Sequence, residues 1–98
     1  MTDKFRLTLA QLNPTVGALE ANAAKARAAW AEGKAAGADM VALPEMFITG
    51  YQTRDLIMKR AFHADATAAL EQLALDCANG PALAIGGPWW DGARLYNA

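Results

Sequence analysis

The sequence predicts an α/β fold whose first three strands form a parallel set. Two observations lead there. Short apolar runs alternate with two long helix-forming stretches in the order β-α-β-loop-α-β-β, and the right-handed crossover rule makes consecutive strands joined by helices parallel, with helices on one or both faces. The composition agrees: 54% of the 98 residues are hydrophobic and 19% are charged, as suits a chain that folds around a core.

The first strand is read from Phe5, Leu7 and Leu9 alternating with Arg6 and Thr8, and runs to about Leu12. Asn13-Pro14-Thr15-Val16-Gly17 is loop chemistry. From Leu19 to Ala36 the chain is rich in Ala, Glu, Lys and Arg, all strong helix formers, and Ala23, Ala26, Trp30 and Gly33 fall close to one face. Gly37 is placed to end that helix as its C′ residue. Met40-Val41-Ala42-Leu43 is a short continuous apolar run, predicted as a buried strand parallel to the first and stopped by Pro44. Glu45 to Tyr51 is a loop of unusual apolar content. Asp65 to Ala78 is the second helix, with Ala66, Leu70, Leu73, Ala74 and Cys77 at helical spacing, and Asn79-Gly80-Pro81 ends it. Ala82 to Gly86 is a third buried strand. Trp90-Asp91-Gly92-Ala93 is predicted as a hairpin turn leading into a fourth strand, Leu95 to Ala98, antiparallel to the third. That strand reaches the last residue with no polar tail, so the expectation is one domain over residues 1–98 that is the N-terminal part of a larger unit.

Several function classes fall away on charge and cysteine content. Nine basic and ten acidic residues give a net charge of −1 without any basic run, so no nucleic-acid partner is expected. A single cysteine forms neither an internal disulfide nor a zinc site, no metal is expected, and a reducing cytoplasm is consistent with it. The first six residues lack the apolar core of a signal peptide. No apolar run approaches the ~20 residues of a membrane span, so no membrane partner is expected.

Glu45 is the most informative position for chemistry. It follows an apolar strand and a proline and precedes Met46, Phe47 and Ile48. A carboxylate at the C-terminal end of a parallel strand lies where α/β folds place ligand sites. Partial desolvation there raises a carboxyl pKa toward the range of a general base. A helix cap or a surface ion pair is the structural alternative.

Leu43-Pro44-Glu45-Met46-Phe47-Ile48-Thr49-Gly50-Tyr51 resembles the catalytic glutamate segment of the carbon–nitrogen hydrolase (nitrilase) superfamily. Ala10-Gln11-Leu12-Asn13-Pro14 with Val16-Gly17, then Asn22 and Lys25, resembles that superfamily's first strand and helix start, and Gly37-Ala38-Asp39 fits before its second strand. Leu95-Tyr96-Asn97-Ala98 is similar to the strand preceding its catalytic lysine. Within the superfamily, Tyr51 to Leu56, Lys59 to Phe62 and Gly80 to Trp89 are similar to segments of bacterial glutamine-dependent NAD synthetases. The chain departs from that subgroup at Gln52 and Thr53, where prolines are common, and at Ala18, which leaves the first helix without a usual N-cap.

The resemblance implies the first half of a four-layer α-β-β-α sandwich and a Glu-Lys-Cys triad with Glu45 as general base and proton shuttle. It implies glutamine as the small-molecule amide substrate, a cytoplasmic location, a homo-oligomer, and ATP with Mg for a separate synthetase domain. It places the triad lysine and cysteine in the rest of the chain, which is itself an expected partner, so the 98 residues alone are expected to be inactive. A stand-alone amidase of the same superfamily and a non-catalytic α/β interaction module are the alternatives.

Lys59 and Cys77 do not fill the triad: Lys59 falls on the wrong element, and Cys77 falls on the apolar face of the second helix, where a buried core thiol is expected. Tyr51 is a substrate-pocket candidate or a residue that holds the Glu45 loop. Asp55 is read as an ion-pair or capping residue and His63 as a helix-start residue. Trp89 and Trp90 are read as packing across strands or against another subunit. Gly86 and Gly87 are read as permitting close backbone approach, and no GxGxxG dinucleotide fingerprint is present.

Overall fold

The computed structural model describes residues 3–51 and 58–98. The Gln52 to Leu56 segment, and Asp55 with it, lies outside the described residues. The element order is β1 (Leu7–Leu9), α1 (Leu19–Ala35), β2 (Met40–Ala42), α2 (Arg60–Asp76), β3 (Ala82–Ala84), β4 (Pro88–Trp90) and β5 (Leu95–Asn97). The first three strands form one parallel sheet in the order β1-β2-β3. Because that order advances in one direction, two crossovers of the same hand lay α1 and α2 on the same face, and the two helices pack against each other.

The sheet register sorts its residues into two faces. Thr8, Val41 and Leu83 lie side by side beneath the helices, and Val41 is fully buried. Leu7-Met40-Ala82 and Leu9-Ala42-Ala84 form two rows on the opposite face. That second face is apolar and bare: Leu7 is 48% exposed and Leu9 72%. The core therefore lies between sheet and helices, built from Ala23, Ala26, Ala29 and Trp30 of α1, Val41, Ala66 and Leu73 of α2, and Cys77, with Phe47 and Ile48 entering from the loop after β2.

Helix α1 ends where Gly37 allows it. Gly37 takes φ +80, its N–H donates to the Lys34 carbonyl at 3.1 Å, and the Ala38 N–H donates to the Gly33 carbonyl at 2.9 Å. These are the two bonds of a Schellman motif. At the other end, Ala18 supplies no side-chain cap. Trp30 Nε1 donates to the Pro81 carbonyl at 2.8 Å and ties the helix to the chain entering β3.

The second helix and the last strands differ from the sequence expectation. Helix α2 begins at Arg60, not Asp65, because the buried Phe62 adds one turn ahead of buried Ala66, Leu73 and Cys77 and half-buried Leu70; Lys59 flanks the start with no side-chain cap bond. His63 consequently lies inside the helix, 7% exposed, with its ring centroid 6.1 Å from that of Trp90. The expected hairpin turn forms, with the Ala93 and Arg94 N–H groups donating to Asp91 Oδ1. It joins β5 to β4, however, and not to β3. After β3 the chain leaves the sheet at Gly86-Gly87, and Pro88, which lacks an N–H, opens a separate ribbon. That ribbon packs on α2, with Trp90 beside His63 and the Arg60 guanidinium 5.7 Å over its ring. Trp89 pairs across the ribbon with Tyr96.

Gly33 is the closest point between α1 and the sheet. A Cβ there would run into Val41 Cγ2 and lie 3.4 Å from Thr8 Oγ1. Gly33→Ala is expected to destabilise the fold by about 1–3 kcal/mol through overpacking, measured by urea unfolding; a gain in stability would show that helix and sheet can separate freely.

Arg27 Nε donates to Asp76 Oδ2 at 2.6 Å and links α1 to α2 across the surface. The Arg27 hydrogen bond, then that of Gln72, holds the Asp76 carboxyl below its ordinary range. A depressed folded-state pKa contributes stability that is present above the ordinary carboxylate range and is lost as pH falls through the lowered value. Arg27→Ala is therefore expected to lower Tm slightly at neutral pH, with the difference from wild type shrinking as pH falls below the ordinary carboxylate range. A difference independent of pH would assign the effect to packing of the Arg27 stem.

Candidate active site

The site is built on the turn that follows β2. Leu43 N–H donates to the Ala84 carbonyl at 2.8 Å, which continues the ladder to the strand end, and residues 45–49 then turn. Met46, Phe47, Ile48, Thr49 and Gly50 are all buried, with Phe47 and Ile48 at 0% exposure. Complete burial of two such side chains is worth about 1.5–3 kcal/mol each. The loop is apolar because it is part of the core.

Three contacts hold this turn. Asn22, buried on α1, donates from Nδ2 to the Ile48 carbonyl at 3.0 Å and to the Thr15 carbonyl at 2.8 Å, while its Oδ1 accepts from the Thr15 N–H at 2.8 Å. One amide thus joins the helix, the loop after β1 and the turn. The Gly17 N–H donates to the Thr49 carbonyl at 2.9 Å, and Gly50, at φ +79, lies so close to Val16 that a Cβ would come within 2.7 Å of its backbone. On the other side, a Cβ at Gly86 would collide with the Met46 nitrogen and approach the Glu45 Cα to 2.9 Å. The Ile48 N–H donates to the Gly86 carbonyl at 3.2 Å. Met46 takes φ 54, an uncommon conformation for a side-chain-bearing residue, costing about 1–2 kcal/mol.

Glu45 stands at the C-terminal end of the central strand, as expected. Its side chain is exposed among the described residues, which corrects the expectation of partial desolvation. The apolar neighbours that suggested burial turn into the core, and the carboxylate is left on the outside of the turn. The grooves of the described surface include three: one between α1 and α2, about 720 Å³; one along the β1 edge beside α1, about 450 Å³; and one between α2 and Trp90, about 370 Å³. Glu45 lines none of the three. Its Oε1 accepts a hydrogen bond from Asn97 Nδ2 at 2.7 Å.

The other sequence candidates fall as follows. Tyr51 is 65% exposed just past the buried turn, so its own burial does little to anchor that turn. Cys77 caps the C-terminus of α2, 9% exposed, and burial, then the nearby Asp76 charge, pushes its thiol pKa up. That is the opposite of what a nucleophilic thiolate needs. Lys59 stands outside the turn, at the start of α2.

Residues 6–98 match the carbon-nitrogen hydrolase family.

The chain belongs to the carbon-nitrogen hydrolase family. Over its whole length it is 67% identical to a glutamine-dependent NAD(+) synthetase of Rhodobacter capsulatus, of which it covers 18%. Its fold overlays a glutamine-dependent NAD(+) synthetase of Cytophaga hutchinsonii with a TM-score of 0.88 at 28% identity, covering 95% of this chain and 16% of that one. An amidase of Nesterenkonia sp. shares the fold, with a TM-score of 0.73 at 24% identity over 87% of this chain and 32% of that one. This carbon-nitrogen hydrolase chain therefore spans less than a fifth of the synthetases it matches, and its α/β architecture is that of the N-terminal part of the nitrilase-type fold.

Asn22 and Asn97 were not singled out as site residues by the sequence. The available signal for Asn22 was an amide on the apolar side of an alanine-rich helix, one position before Ala23. Asn97 stood out only as part of the Leu95 to Ala98 resemblance, since its partner is 52 residues away. Asn22→Ala is expected to cost about 1–3 kcal/mol, because it strands the buried Ile48 carbonyl and removes two part-buried bonds to the Thr15 backbone. Asn22→Asp, which loses both donors, should cost at least as much. Chemical denaturation measures both; unchanged midpoints would mean that the turn is held by Phe47 and Ile48 alone.

Proposed function

We propose that this carbon-nitrogen hydrolase chain is the start of the glutaminase half of a glutamine-dependent NAD synthetase, with Glu45 as the proton shuttle. The observation that supports it most is local. Glu45 is the one outward-facing residue on a turn whose next five residues are buried, at the strand end where α/β folds gather their ligand sites. The 67% identity to a synthetase over the length of this chain favours that activity over a stand-alone amidase, which the shared fold alone would permit equally.

In this mechanism a cysteine from the rest of the chain attacks the glutamine amide carbon and forms a thioester. Glu45 takes the thiol proton and delivers it to the departing ammonia, then takes a proton from the water that hydrolyses the thioester and returns it to the thiol. A lysine, also outside this chain, stabilises the oxyanion. The rigid turn keeps Glu45 at one distance from both reacting groups through the cycle. The bare face of Leu7 and Leu9 receives the second sheet of a four-layer sandwich, and that layer supplies the enclosure Glu45 lacks here.

The freed ammonia then amidates nicotinic acid adenine dinucleotide in a separate domain, which binds ATP and Mg. A cytoplasmic location and homo-oligomeric assembly belong to the same proposal. In support of them, no helix among the described residues is long and apolar enough to cross a membrane, and Trp89 and Tyr96 stand half-exposed side by side on the ribbon.

Glu45→Gln in the complete enzyme is expected to lower glutamine-dependent synthesis by roughly 10²–10⁴-fold, the range of general acid–base contributions. Synthesis from added ammonia should stay at the wild-type rate. Wild-type glutamine turnover in that variant would remove Glu45 from the mechanism and favour a non-catalytic role for the turn.

A further inference from the structure

The ribbon β4–β5 brings one side chain onto the carboxylate at the centre of the proposed chemistry. Asn97 Nδ2 lies 2.7 Å from Glu45 Oε1. Three features of the backbone bring the two together. Gly86, lacking a Cβ, lets the end of β3 lie directly against the Glu45–Met46 peptide. The next residue, Gly87, exchanges both backbone bonds with Ala98: its N–H donates to the Ala98 carbonyl at 2.9 Å and its carbonyl accepts from the Ala98 N–H at 3.0 Å. The register then sets Asn97 opposite Pro88. Directly paired residues project to the same face, and Pro88 is buried. Asn97 thus sits on a ribbon clamped on both sides of it, and the same short Gly86-Gly87 stretch positions both partners of the bond.

The amide suits this position chemically. Its NH₂ group is a donor at every pH at which the protein is folded, and it neither takes up nor releases a proton there. We propose that Asn97 is a positioning residue for Glu45: its hydrogen bond occupies Oε1, stops the carboxylate from rotating, and leaves Oε2 as the oxygen that carries the proton. The inference rests on Glu45 being the proton shuttle and goes further, in naming which oxygen works and what holds the other.

The test uses the complete enzyme, with glutamine-dependent and ammonia-dependent synthesis measured side by side. Asn97→Ala should lower glutamine-dependent kcat by about 10–100-fold, the scale of a misplaced catalytic group. KM for glutamine and the ammonia-dependent rate should stay within about 3-fold, since neither draws on the positioned oxygen. Asn97→Asp, which removes the donor and sets a second carboxylate beside Oε1, should lower glutamine-dependent kcat at least as much. Asn97→Asp nearly preserves the side-chain shape, so it answers the question if Asn97→Ala fails to fold. Asn97→Gln, which keeps the donor, should recover part of the rate. In a Glu45→Gln background, Asn97→Ala should have no further effect.

Wild-type kcat with glutamine in the Asn97 variants, while Glu45→Gln is inactive with glutamine, overturns the inference and leaves the function standing. Equal losses with glutamine and with ammonia also overturn it, by assigning Asn97 to folding. If Glu45→Gln keeps its glutamine activity, the functional reading fails first and the inference fails with it.

Discussion

Phe47 and Ile48 have no solvent contact, and the position of the candidate site follows from that. A strand-end loop would ordinarily run over the surface and sample many conformations. Here two large apolar side chains drop from the loop into the space between α1, α2 and the sheet. Burying them leaves the loop's own peptide groups in the interior, where each needs a partner. Asn22 meets the Ile48 carbonyl, Gly17 meets that of Thr49, and Gly86 meets the Ile48 N–H. The cost of the uncommon Met46 backbone is offset by this burial. What results is a carboxylate fixed to the core through its own neighbours while it faces outward.

The one-sided arrangement of the helices has a related origin. A three-stranded order that never reverses sends both crossovers over the same face, so one layer of helix suffices for Thr8, Val41 and Leu83, and none of the described residues covers Leu7 and Leu9. An apolar sheet face of this kind needs a second layer. The exposed carboxylate lies at the C-terminal end of the same sheet, so the covering of the face and the enclosure of the site are one structural problem with one solution.

Much of the scaffold was legible in the sequence because it depends on local rules. Gly37 ended α1 through a positive φ that other residues resist, and the Met40 to Leu43 run read as a buried parallel strand. Glu45 was legible as the end of that strand, and Cys77 as a buried thiol on a helical stripe. The start of α2 was missed because Asp65 offers a conventional cap, whereas the real helix begins without one and is held by the packing of Phe62. The partner of β5 was missed because pairing with β4 depends on Gly86 meeting Glu45, a contact between residues far apart in the chain. The exposure of Glu45 was misjudged for a third reason. Apolar sequence neighbours imply a dry environment only when they and the carboxylate point the same way.

The two rows on the bare sheet face are uneven. Bulk drops to alanine at Ala82 in one row, after the similar-sized Leu7 and Met40, and already at Ala42 in the other, after Leu9. The surface is therefore a ramp, high at the β1 edge and low at β3. Interiors pack without gaps, so a sheet laid over it must slope the opposite way, with its long side chains above the alanines and its short ones above the leucines. A flat, evenly apolar partner would rock on the β1 edge and leave a wedge of empty space beside Gly86, next to the backbone of Glu45.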